Sequence, residues 1–304
     1  MCADVLVLAV LCVFLLMIVP ALFARTREAQ MRVVCLANLG QIGKAMLVYA
    51  EDYDGALPRT GGPSTTWGKP YNWTAVDRYN AFGVTPTDES GGRASISSCL
   101  YMLVKYMEMP TRVFVCGGDE GTTEFKLSDL TAIPSDFELT DAWDFGPPSE
   151  APEHCSYAYH MPFGMYPLAT SRDPNLAVVA DRSPWIESPA ADAGIFVNFM
   201  PDIPPYFGSA EMARAGTAVS HRSDGQNVLF LDGRVNFETR SYCGATGADA
   251  PAAFADAPDN IYTISYNHNT GDPFGGVPPV QFAPANEYDS VLVHDPPDFG
   301  GGRR

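Results

Sequence analysis

The chain has 304 residues, 36 acidic and 19 basic, for a formal charge of −17. A surface that negative repels phosphate backbones and anionic headgroups, which argues against nucleic-acid binding. Apolar residues make up 46% of the chain, against wholesale disorder, while 27 Gly and 26 Pro favour turns, short strands and long loops over a helical bundle.

From Val5 to Ala24 the chain carries no charge, and about twenty such residues in a helix cross a hydrocarbon core. A signal peptide would bring a basic start, a shorter apolar stretch and a small-residue cleavage site. Here Asp4 precedes the run, and helical spacing continues past it, so residues 1–24 read as an uncleaved anchor. Pro20 is expected to kink that helix or free a carbonyl. Met31, Cys35, Leu39, Ile42, Met46 and Tyr49 follow at spacings of three and four, one face of an amphipathic helix over 25–55. The pattern stops at Asp54-Gly55, with Pro58 just beyond.

Residues 56–270 read as a β-rich globular domain. A helix is predicted over Ser95–Met107, and strands at Val113–Cys116, Ser156–His160, Ala177–Ala180, Gly194–Phe199 and Asn260–Tyr266. The clearest signal is the hairpin of Asn227–Leu231 and Arg234–Glu238, whose Asp232-Gly233 suits the two positive φ angles of a type I′ turn. With that two-residue turn, Val228, Phe230, Val235 and Phe237 would share the core side. Pro and Gly dominate 271–304, which reads as irregular with little core of its own. The fold class is α+β: a long N-terminal helix packed on an antiparallel sheet, with extended loops.

The order of these features resembles a known family. Ala24-Arg25-Thr26-Arg27-Glu28 leads to Cys35-Leu36-Ala37-Asn38-Leu39-Gly40-Gln41-Ile42-Gly43 and then Tyr49-Ala50-Glu51-Asp52-Tyr53-Asp54-Gly55. Val113-Phe114-Val115-Cys116, Ser156-Tyr157-Ala158-Tyr159-His160, His221 through Asp232-Gly233, Asp259-Asn260-Ile261-Tyr262-Thr263 and Asp289 through Pro296 follow in the same order. This resembles type IV pilin-like proteins and type II secretion pseudopilins, in particular the bacterial group with a prepilin-processing-associated His-x9-Asp-Gly domain. Ten residues, not nine, separate His221 from Asp232 here. Family members carry a Glu at the start of the apolar helix that neutralises a neighbour's N-terminal amine. Asp4 is the candidate for that charge in a chain that begins Met1-Cys2-Ala3-Asp4.

The resemblance implies a membrane-anchored structural subunit. Its helix would associate with itself or with other pilin-like subunits in a filament or secretion apparatus. It also implies a single-pass inner-membrane protein with its globular part periplasmic or extracellular. Arg25, Arg27 and Arg32 after the anchor would by positive-inside counting place that part in the cytoplasm, but the cysteine-containing, loop-rich domain suits export. The alternative is an anchored module, not itself assembling, that binds extracellular polysaccharide.

Among the cysteines outside the anchor, Cys116 and Cys155 each border a predicted strand and form the candidate disulfide, with buried free thiols as the alternative. His221, Asp224 and Asp232 could hold a metal or act as acid and base, yet Asp224-Gly225 and Asp232-Gly233 are also what tight turns require. The structural reading is preferred, with His221 bracing the loop into the hairpin and Gly233 serving its turn. Some pseudopilins hold calcium, which the resemblance leaves open without naming ligands; Asp52-Tyr53-Asp54-Gly55 lacks the later Glu of a calcium loop. No other cofactor is expected. Trp67, Trp73, Trp143 and Trp185 suit a core or a sugar-stacking surface. No GxSxG, HExxH or GxxxxGK[ST] occurs, and no catalytic residue is assigned.

Overall fold

A computed structural model describes residues 2–131, 133–187, 209–246, 258–264 and 283–297; of the side chains of 2–25 it describes Phe14 alone. The predicted strand Gly194–Phe199 and the side chain of Asp4 lie outside these residues. Helix α1 runs unbroken through Pro20 from Cys2 to Asp52, 51 residues or about 77 Å at ~1.5 Å per residue. By length and composition this N-terminal helix is long and apolar enough to span a membrane. Its second half is a domain element: Cys35, Leu39, Ile42, Met46, Tyr49 and Ala50 are buried, on the stripe that the spacing marks. The helix stops where Asp54 and Gly55 take left-handed φ of 52° and 81°, and the Gly55 N–H donates back to Ala50 O at 2.8 Å.

After α1 the chain forms β1 (Thr66–Trp67), α2 (Arg78–Phe82), β2 (Arg93–Ala94), α3 (Ile96–Met107), β3 (Tyr157–His160), β4 (Ala177–Asp181), α4 (Ala210–Ala215), β5 (Gln226–Phe230), β6 (Val235–Glu238) and β7 (Leu292–Val293). β1 and β2 pair in parallel; the other five strands form an antiparallel sheet in the order β6-β5-β4-β3-β7. Helix α1 lies on one face, where Gly43 lets it approach so closely that a Cβ there would stand 2.6 Å from a Leu229 methyl. The other face buries Ala158, Ala177, Ala180, Val228, Phe230 and Leu292 under Trp185, Ile261 and Tyr262. An interior strand buried on both faces has no solvent side, which is why Val228–Phe230 of β5 read as a continuous apolar run rather than an alternating one.

The hairpin forms, but with a different turn. Phe230 and Arg234 close it: Phe230 N–H donates to Arg234 O at 3.0 Å and Gly233 N–H to Phe230 O at 2.9 Å. Gly233 alone has positive φ, 86°, so Leu231-Asp232-Gly233 is a three-residue loop and not the two-residue type I′ turn. One extra loop residue shifts the register by one, pairing Leu229 with Val235 and Asn227 with Phe237. Opposite residues share a face, so Val235 and Phe237 lie on the α1 side with Leu229, while Val228 and Phe230 point to the other. The expectation that all four share one side is therefore corrected.

Two predicted strands are corrected as well. Thr111–Phe114 is a 3-10 turn after Pro110, which buries both Val113 and Phe114; a strand would send the two to opposite faces. Asn260 makes one isolated bridge to Tyr242, and residues 261–263 turn away.

Of the segment read as irregular, residues 283–297 are described; they are loop apart from β7, an edge strand, around which Val291, Leu292 and Val293 are fully buried. Beyond β7, Asp295 reaches the N-terminus of α3. Its carboxylate accepts from Ile96 N at 2.9 Å, Ser97 N at 2.7 Å and Trp67 Nε1 at 2.8 Å, while Ser95 Oγ accepts from Ser98 N at 3.1 Å. The first three N–H groups of α3, which no helical carbonyl can satisfy, are thus all met.

Ser95 also donates to Asp144, a second fully buried carboxylate. Burial, then the nearby charge of Asp295, raises the Asp144 pKa to about 7. A carboxyl whose folded pKa lies above its unfolded value of 3.8 favours folding in its protonated form. Stability is therefore lost as pH rises from about 4 through 7. Denaturant unfolding at pH 4, 5.5, 7 and 8 is expected to show this decline, and Asp144→Asn to flatten most of it; an unchanged slope in the variant would remove Asp144 as the cause.

Candidate functional site

His221 closes a 3-10 turn, Val219–His221, before β5 and is fully buried. Arg222 and Ser223 then take left-handed φ of 59° and 56°, which turns the chain sharply around the imidazole. The Nδ1 atom faces Glu28 Oε1 of α1 at 3.2 Å, and Nε2 faces Asp181 Oδ2, at the end of β4, at 3.4 Å. Asn227 of β5 donates from Nδ2 to Asp181 Oδ2 at 3.2 Å, and that Nδ2 also lies 3.2 Å from Nε2. Phe237 of β6 meets the ring edge to face, and Arg32 lies over Phe237 at 4.5 Å. Gly118 comes so near that a Cβ there would meet Ser220 O at 2.4 Å and Nδ1 at 3.0 Å.

Burial alone would lower the His221 pKa. Hydrogen bonding and charge from Asp181, and then from Glu28, outweigh it and hold the pKa above its ordinary value. The same loop grips α1 twice more from the surface: Arg222 Nε lies 3.5 Å from Glu28 Oε2, and Asp224 pairs with Arg32 at 2.6 Å. Deeper in, Arg182, the neighbour of Asp181, forms a buried ion pair with Asp119 at 3.1 Å and donates to Cys155 O at 2.6 Å.

A disulfide adjoins the histidine. Cys116 is bonded to Cys35 of α1, with Cα atoms 5.3 Å apart, and its Sγ lies 3.6 Å from His221 Nε2. The candidate bridge Cys116–Cys155 is thereby corrected: Cys155 is a buried free thiol, as is Cys99, and Cys243 is a half-buried one. The strand-border argument for Cys155 fails because Cys116 does not end a strand, whereas Cys35 sits on the buried stripe of α1 directly against it. A bridge joining residues 81 positions apart stabilises by roughly 4–5 kcal/mol on loop-entropy grounds.

The carboxylates singled out for a metal are placed elsewhere. Asp224 is exposed and shared by Arg32 and Arg214, and Asp232 pairs with Arg234 beside the hairpin turn. Among the described residues, the group able to hold a metal ion is instead Cys35, Cys116 and His221, whose ligand atoms lie within 4.8 Å of one another. The four tryptophans face inward: Trp143 and Trp185 are buried, Trp73 packs edge-on against Phe125 and Phe137, and Trp67 donates to Asp295. His160 and His294 are buried with pKa values lowered first by desolvation, that of His160 to about 4.

Sequence reasoning missed Glu28, Cys35, Asp181 and Asn227. One signal was present for two of them: Glu28, Cys35 and Ile42 are spaced by seven, so a Glu and a Cys share the buried stripe and each needs a partner there. Compared with known proteins, the chain matches no family model, no curated protein and no solved structure.

Peptide mapping of the non-reduced protein is expected to recover Cys35 linked to Cys116, with Cys155 alkylated only after unfolding. Recovery of a Cys116–Cys155 peptide would contradict the assignment.

Proposed function

We propose that the chain is a membrane-anchored pilin-like or pseudopilin-like structural subunit that associates through its N-terminal helix. The observation that carries this reading is the division of labour along α1. Residues from Glu28 to Tyr49 are built into the domain by the buried stripe, the disulfide and the His221 contact. The same continuous helix begins with the uncharged run Val5–Ala24, long enough for a bilayer. The outward side of the domain-bound half carries Val33, Val34, Leu47 and Val48, all exposed in the single chain. An apolar helix face left open in this way is what a packed bundle of such helices uses.

The Cys35–Cys116 bridge supports an exported domain, since disulfides persist in oxidising compartments. The orientation that follows is a single span in the inner membrane, with the globular part periplasmic or extracellular.

Expressed whole in a bacterial host, the protein is expected to stay in the membrane fraction through carbonate extraction. Single cysteines at Val34 and Val48 are expected to cross-link neighbouring copies. A chain that is soluble and monomeric without detergent would overturn the anchor. A carbonate-resistant monomer that fails to cross-link and binds glycans would favour the polysaccharide-binding alternative.

A further inference from the structure

The Cys35–Cys116–His221 cluster is more than a braced disulfide. In a tetrahedral zinc site with Zn–S near 2.3 Å and Zn–N near 2.05 Å, a thiolate sulfur and an imidazole nitrogen stand about 3.5 Å apart. Cys116 Sγ and His221 Nε2 are already 3.6 Å apart. A metal-binding histidine commonly gives its other ring N–H to a carboxylate, which fixes the tautomer and orients the ring. Glu28 Oε1 stands at Nδ1 in that role, 3.2 Å away. Asp181 lines the Nε2 side of the ring. It is fully buried, its Oδ2 lies 3.4 Å from Nε2, and its Oδ1 has no hydrogen-bond partner among the described residues.

We infer that the Cys35–Cys116 disulfide and a zinc-type d10 cation are alternative occupants of one buried site, with Cys35, Cys116 and His221 as its protein ligands. The exchange requires a reductant of the dithiol or phosphine class. A dithiol breaks the S–S bond with two electrons and two protons, leaving two cysteine thiols and its own disulfide. Cation binding then displaces the two thiol protons and any proton on Nε2. The sulfurs part to about 3.8 Å around a tetrahedral ion, and Glu28 keeps the Nδ1 proton. In either state the site performs one task, joining α1 to the loop after the 3-10 turn. The metal form would hold the domain together before oxidation or under reducing conditions.

The test uses the full-length protein in detergent, reduced with a phosphine under anaerobic conditions and titrated with Co2+ or Zn2+ alone. The expected result is one Co2+ per chain, with tetrahedral d–d bands and thiolate-to-cobalt charge transfer, displaced by Zn2+; the disulfide form is expected to bind none. Cys116→Ser and His221→Gln are expected to abolish this spectrum, and Cys155→Ser to leave it intact. Glu28→Gln keeps the ligands and the bridge and is expected to weaken binding by about 10–100-fold. If reduction alone erases the near-UV circular dichroism, Zn2+ is expected to restore it. A reduced chain that takes up no Co2+, an unchanged spectrum in Cys116→Ser, or a lost near-UV signal that Zn2+ does not restore would each overturn the inference.

Discussion

Glu28 on α1 and Asp181 on β4 face opposite nitrogens of one fully buried imidazole, and they can do so only when the helix lies across the sheet. An imidazole deprived of water is costly to charge, and two carboxylates largely removed from water are costly to leave unpaired. The three groups therefore satisfy one another fully in one placement of the helix. That condition fixes where α1 sits along its length, which an apolar stripe alone does weakly, since a stripe can slide by a turn and still bury leucines and methionines. The disulfide from Cys35, two turns further along the same face, holds the same register covalently. Gly43, two turns beyond that, lets the helix down onto Leu229.

The rest of the domain follows from that placement. With α1 on one face, the sheet must still cover the other, and it does so with small residues, Ala158, Ala177 and Ala180, beneath Trp185 and Tyr262. Large apolar side chains buried on both sides, each worth roughly 1.5–3 kcal/mol, make the sheet the centre of the molecule rather than a platform under a helix. The three-residue loop at Gly233 decides which side chains go to which face. With β5 held in place by β4, a shorter loop would put Val235 and Phe237 on the far side with Val228 and Phe230, away from α1.

Much of this was legible locally. The stripe of α1, the helix α3, the strands β3 and β4 and the two arms of the hairpin are each written within a dozen residues, where spacing operates. What was not legible depends on distant partners. Asp295 caps α3 from 199 positions away, β7 exists because β3 offers it an edge, and Cys116 bonds Cys35 because the helix brings it there. The hairpin's facing was misjudged for a local reason: Asp-Gly serves both two- and three-residue loops, and one residue inverts the outcome. At the site, His221 could be singled out and Glu28 could be placed on the buried stripe, but nothing in the sequence joins the two or names Asp181.

The central claim is that His221 and Glu28 act as a unit in docking α1. A double-mutant cycle with Glu28→Gln and His221→Gln, read by denaturant unfolding of the disulfide-bonded protein, measures that coupling free of the rest of the interface. The expected coupling energy is about 1–3 kcal/mol, with each single variant costing nearly as much as the pair. Strictly additive losses would contradict it, and would leave the helix held by its apolar stripe and the disulfide alone.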